Sequence, residues 1–105
     1  MPRYAYQLRI KPEAIEEYER EHQRVWPELL AKLKETGISD YSIFRRGQEL
    51  VLILRVGDFD KAMDELARDP VNRRWQEFMG RLFEPVPGLQ PGERFAMMKE
   101  VFRLE

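Results

Sequence analysis

Cysteine is absent from this 105-residue chain and histidine occurs once. Without cysteine there is no disulfide, no thiolate nucleophile and no zinc site built on sulfur, and the composition fits a reducing compartment, of which the cytoplasm is the default. Long apolar runs are missing as well: the longest, Leu50 to Leu54, is far too short to cross a bilayer. Neither charge sign dominates, since 18 Lys and Arg are interspersed with 19 Asp and Glu for a net charge of -1. No broad field then steers a polyanion to the surface, and nucleic acid is not an expected partner. Neither G-x-G-x-x-G nor a Walker loop occurs, so nucleotide cofactors have no motif. The opening Met1-Pro2-Arg3-Tyr4 runs straight into a strand-like pattern without the apolar stretch of a secretory signal, so neither export nor membrane insertion is expected.

What is present suits one folded domain spanning residues 1–105, with 43% hydrophobic and 35% charged residues. Tyr4, Tyr6, Leu8 and Ile10 alternate with Ala5, Gln7 and Arg9, the period of a strand with one better-buried face. Pro12 suits a first helical turn, and Ile15, Tyr18, His22, Val25, Leu29 and Leu33 recur at helical steps until Gly37. Pro27 lies inside that pattern, where the missing donor and the ring's clash with the preceding turn predict a kink or a restart beside His22. Such a bend would splay Trp26 from the first half-helix and open space over the imidazole.

A second strand holds Tyr41, Ile43 and Phe44, Arg46 to Glu49 form a turn, and Leu50 to Val56 make a third strand that is apolar on both faces. Phe59, Ala62, Met63 and Leu66 mark a short helix, and Asp69-Pro70 reads as an N-cap followed by proline at the first position of another. That helix carries Val71, Trp75, Phe78, Met79 and Leu82 on its apolar face. Glu84 to Glu93 is a Pro- and Gly-rich loop, either a lid or a connection, and Arg94 to Leu104 returns to a strand pattern.

This order is the split βαβ arrangement, an α+β fold whose antiparallel sheet carries helices on one face. Because the third strand is apolar on both sides, the uncovered face is expected to pack on a second copy, with the C-terminal strand able to cross over. A homodimer is the expectation.

The lone imidazole stands in the stripe Tyr18-x-x-x-His22-x-x-x-Trp26-Pro27. Histidine titrates nearest to neutral pH, so a chain needing one proton donor and acceptor would use it. A core histidine bonded to backbone satisfies the same pattern, and spacing alone does not separate the two. Tyr18 and Trp26 are accounted for by core packing. Together with the imidazole, however, they offer the aromatic faces and polar groups that a sugar's C–H faces and hydroxyls require. Packing also explains Tyr41 and Trp75, while Gln76 sits one helical step off the apolar stripe, at a rim or in solvent. A metal site would have to complete one histidine with Glu19 or Glu21, which read as solvated surface charge, so no metal is expected. The Arg73-Arg74 pair suits an anionic group and suits an ordinary helix surface equally.

Taken together, Tyr18-x-x-x-His22-x-x-x-Trp26-Pro27-Glu28-Leu29, Asp40-Tyr41-Ser42-Ile43, Arg74-Trp75 and Glu100-Val101-Phe102-x-Leu104 resemble the L-rhamnose mutarotase family over the whole length. The resemblance implies a ferredoxin-like fold assembled as a dimeric α+β barrel, and an enzyme that interconverts the α and β anomers of L-rhamnose without a cofactor. It places the proton donor at His22 and sugar contacts at Tyr18, Tyr41 and Trp75. The family's second adjacent tryptophan falls on Gln76, an amide in place of an indole, which bears on which monosaccharide is taken. Analogy at the level of the fold alone also admits a small haem- or quinone-type monooxygenase, and a non-catalytic sugar-binding module is a third reading.

Overall fold

Strand β1 (Arg3–Ile10) turns Tyr6 and Ile10 into the core. Strand β3 (Glu49–Arg55) runs antiparallel beside it, setting Tyr6 opposite Leu52 and Leu8 opposite Leu50. The register buries Leu50, Leu52 and Leu54 while Val51 and Ile53, on the other face, stay half-covered, so the strand apolar on both sides has one face filled within the chain. Strand β2 (Ser39–Arg46) pairs with β3 through a tight turn at Gly47 and Gln48, with Gly47 at φ 59°. The computed structural model describes residues 2–105, and its sheet places β3 between β2 and β1.

Two short strands share the free edge of β1. β4 (Phe83–Glu84) pairs opposite Ile10 and Arg9, and β5 (Ala96–Met98) pairs opposite Gln7, Tyr6 and Ala5. Arg9 ties three strands together, reaching Glu84 at 3.1 Å and contacting Glu49 on β3.

Helices α1 (Ile15–His22), α2 (Pro27–Glu35), α3 (Phe59–Arg68) and α4 (Pro70–Gly80) bury Tyr18, Leu29, Phe59, Met63, Leu66, Trp75 and Met79 against Tyr6, Ile10, Leu50, Leu52 and Leu54 in one core cluster. All four lie on the same face, and the expected α+β split βαβ sheet is the one observed. Asp69 caps α4 by accepting the Asn72 amide at 2.9 Å, with Pro70 at the first turn.

The restart expected beside His22 is present: the pattern from Pro12 to Gly37 forms a 3-10 turn, α1 and α2, parted at Gln23–Trp26. Pro27 is the cause: its ring holds Trp26 extended at φ -57°, ψ 131°, and the proline then starts α2. Glu84 belongs to β4 rather than to the loop, because its carboxylate and backbone both meet Arg9. The terminal strand covers Ala96–Met98 instead of Arg94 to Leu104; β4 already occupies Arg9 and Ile10 of β1, which stops the pairing on the Arg94 side, and residues beyond Met98 make no ladder pair. Val101, Phe102 and Leu104 stand in solvent.

Candidate active site

Between the helices and the covered face of the sheet lies a cavity of about 510 Å³, and Tyr18, His22, Tyr41, Trp75 and Gln76 all line it. These residues come from α1, β2 and α4, elements that meet only in the folded chain.

Tyr18 and His22 share a face of α1 through their i, i+4 spacing. The rings stack at 4.1 Å between centroids, and His22 Nδ1 lies 2.9 Å from the Tyr18 carbonyl oxygen. A carbonyl only accepts, so Nδ1 carries the proton in that bond and the neutral ring's lone pair is at Nε2. Burial pushes the His22 pKa below its usual value, while the Tyr18 carbonyl and the Glu21 carboxylate pull the other way and are outweighed. At neutral pH the imidazole is therefore a base with one free nitrogen.

Trp75 presents its ring edge-on to His22 at 5.6 Å. Trp26 stands behind it, 5.1 Å from Trp75 and stacked on Phe78, and does not line the cavity. The helix break thus turns Trp26 into a buttress.

Tyr41 reaches the cavity through a bulge. Ser39 pairs with Arg55 and Ser42 with Ile53, so Asp40 and Tyr41 together face the single residue Leu54. Asp40 takes the left-handed conformation at φ 48°, which aspartate tolerates better than most residues, and its carboxylate lies 3.4 Å from Arg55. Such bulges re-aim side chains beside functional sites. The Tyr41 hydroxyl is 3.5 Å from that of Tyr6, and burial raises the pKa of Tyr6, Tyr18 and Tyr41 alike. All three phenols keep their protons at neutral pH.

Gln76 is exposed at the rim, with its Nε2 3.5 Å from Asn72 Oδ1. Asn72 is buried in the wall, donating from Nδ2 to the Leu66 carbonyl at 2.9 Å. Sequence reasoning missed Asn72, although an amide three residues before Trp75 and seven before Met79, on their stripe, was a legible signal. It also missed Tyr6, whose only sign was a hydroxyl on a core strand residue. Arg94 and Phe95 reach the wall from beyond the Pro-rich loop, Arg94 bonded to Asp64 at 2.8 Å and Phe95 packed on Tyr6 at 4.8 Å. No local pattern marks them.

The described lining holds aromatic rings, hydroxyls, amides, one imidazole and one guanidinium, and no carboxylate. Among the described residues no group of three His, Cys, Asp or Glu side chains is placed to hold a metal ion, and no helix is long and apolar enough to cross a membrane. His22 is the cavity group that titrates closest to neutral pH. The surrounding set can orient a polyhydroxylated ligand and pass a proton.

Comparison with known proteins agrees with this chemistry. The family described as L-rhamnose mutarotase matches residues 3–104. An L-fucose mutarotase from Xanthomonas campestris is 38% identical, covering 99% of this chain and 89% of that protein. An L-rhamnose mutarotase from Acidiphilium cryptum is also 38% identical, covering 99% of both. The crystal structure of an L-rhamnose mutarotase from Formosa agariphila superimposes with a TM-score of 0.80 at 27% identity over 100% of both chains. Tetracenomycin F2 cyclase from Streptomyces glaucescens shares the fold at a TM-score of 0.65 and 21% identity. With residues 3–104 matched by the family, and a relative 38% identical over 99% of both chains, the chain belongs to the L-rhamnose mutarotase family.

Proposed function

We propose that residues 1–105 act as one domain and form a cytoplasmic isomerase, a mutarotase that interconverts the α and β anomers of L-rhamnose or a closely related sugar. His22 carries the proton, and Tyr18, Tyr41, Trp75 and Gln76 hold the monosaccharide. The observation that carries this reading is His22 on the cavity wall with Nδ1 committed to the Tyr18 carbonyl and Nε2 free.

Opening the ring requires loss of the proton on the anomeric oxygen and gain of one on the ring oxygen. His22 Nε2 takes the first proton as the anomeric oxygen forms a carbonyl. The electrons of the C–O bond to the ring oxygen pass to that oxygen, and it takes the proton back from Nε2. Both oxygens are bonded to one carbon, so a single imidazole serves both transfers. Rotation about the adjacent C–C bond exposes the other carbonyl face, and the same steps in reverse close the ring. The phenols are poorly placed to carry charge, since burial disfavours their anions, and they act as hydrogen-bonding groups. Proton transfer of this kind contributes about 10²–10⁴-fold, and the reaction needs no cofactor.

The open side of the sheet supports a homodimer. Phe44 lies opposite Val51, and Ala5 lies opposite both Ile53 and Met98, making an apolar surface on which Phe44 is 61% exposed. A second copy covers that surface, with the exposed Val101, Phe102 and Leu104 of the tail after Met98 free to lie against it. The cysteine-free composition suits the cytoplasm.

The test is magnetisation exchange between anomeric protons of L-rhamnose, L-fucose and other aldoses, measured by NMR with wild type and His22→Ala. Exchange well above the solvent rate for at least one sugar, lost in His22→Ala, is expected. Exchange at the uncatalysed rate for every sugar overturns the activity, and full activity in His22→Ala overturns the mechanism.

A further inference from the structure

Tyr6 is 5% exposed and sits on a central strand, where phenylalanine would fill the same space without a hydroxyl to satisfy. Its ring is gripped by Phe59 at 6.0 Å and Phe95 at 4.8 Å, so the hydroxyl is held at a set point on the cavity wall. There it meets Tyr41, 35 residues away in sequence, at 3.5 Å, and either oxygen can be the donor. We propose that Tyr6 is a positioning residue that, through this hydroxyl contact, lets Tyr41 alternate between donating to the sugar and accepting from it. The inference rests on the mutarotase reading above.

The chemistry requires such a group. The anomeric oxygen is a hydroxyl in the closed sugar and a carbonyl, an acceptor only, in the open one, and it points in different directions in the two anomers. A wall group that follows it must reverse its hydrogen-bonding sense during each turnover. A lone buried hydroxyl can rotate, but turning its proton toward the sugar or away from it leaves part of its bonding capacity empty. In a pair the two hydroxyls turn together. When Tyr6 donates to Tyr41, the Tyr41 proton is free for the sugar; when Tyr41 donates to Tyr6, Tyr41 offers a lone pair. No charge forms in either state, in keeping with phenols that burial holds protonated. Net proton transfer stays with His22.

A double-mutant cycle on the anomeric exchange rate tests this, with Tyr6→Phe, Tyr41→Phe and the double variant, on the sugar that wild type turns over. Tyr6→Phe is expected to lower kcat by about three- to tenfold, the range for loss of one uncharged hydrogen bond, with little change in KM. In the Tyr41→Phe background the same substitution should have no further effect. A Tyr6→Phe protein with wild-type kcat overturns the proposal. So does an equal loss in both backgrounds, because Tyr6 would then act on the fold independently of Tyr41. Absence of exchange in wild type with any aldose overturns the activity itself and is distinct from both results.

Discussion

Burial and hydrogen bonding compete at His22. Folding removes its ring from water, which favours the neutral form, and this prevails over the stabilisation of the cation by the Tyr18 carbonyl and Glu21. On the proposed mechanism, in which His22 must be unprotonated to act, kcat/KM rises with pH through a midpoint below the unperturbed value of about 6.5, and is level above it. Stability follows the same sign. As pH falls from the unfolded-state value toward the folded one, the unfolded chain takes up a proton that native His22 resists, and stability declines through that window. Anomeric exchange followed from pH 5 to 8 checks the first point, and a limb centred above 6.5 would contradict it. At the rim, Gln76→Trp replaces an amide bonded to Asn72 with a stacking surface, so the ratio of exchange rates between L-rhamnose and L-fucose should shift by several-fold; an unchanged ratio removes Gln76 from specificity. The Tyr18–His22 pair was legible in the sequence because its geometry is local, set by one turn of helix. Tyr6 and Asn72 were not singled out, since what distinguishes them from packing residues is a partner or a cavity that only the folded chain supplies.

At the scale of elements, short-range chemistry decided the boundaries that could be read in advance. Asp69-Pro70 starts α4 as expected, because cap and proline act within one turn. Asp69→Ala removes the acceptor for the Asn72 amide and should destabilise the protein by about 1 kcal/mol, seen as a lower melting temperature. The same change loosens the backbone beneath Asn72, so KM should rise while the pH midpoint set by His22 stays in place. A melting temperature equal to wild type would show that the Asn72 amide finds another acceptor. Pro27 parted α1 from α2 for an equally local reason, its effect on the residue before it. The C-terminal strand was overextended in the sequence reading because apolar residues mark where a chain is able to pair and say nothing of the edge available. β5 takes only the stretch of β1 from Ala5 to Gln7, and β4 takes Arg9 and Ile10.

For the whole molecule, the sheet separates two tasks. Its covered face carries the cavity and the fully buried Ile10, Leu50 and Leu54, whereas its other face carries Phe44, Val51, Ile53 and Met98. A core substitution such as Leu54→Ala should cost about 2–5 kcal/mol through lost burial and the void it leaves. Phe44→Glu is different in kind: the side chain is already largely in solvent within one chain, so the fold of the single copy should change by no more than about 0.5 kcal/mol. Against a second copy the same change buries a carboxylate in an apolar contact, which no close partner compensates. Light scattering coupled to size exclusion should therefore give a dimeric mass for wild type and a monomeric mass for Phe44→Glu, with the same far-ultraviolet circular dichroism. Because Tyr18, His22, Tyr41 and Trp75 all come from one chain and face away from this surface, the separated copy should retain anomeric exchange. A monomeric wild type would remove the homodimer. A monomeric Phe44→Glu protein that is folded but inactive would show that the second copy supports the cavity from behind the sheet.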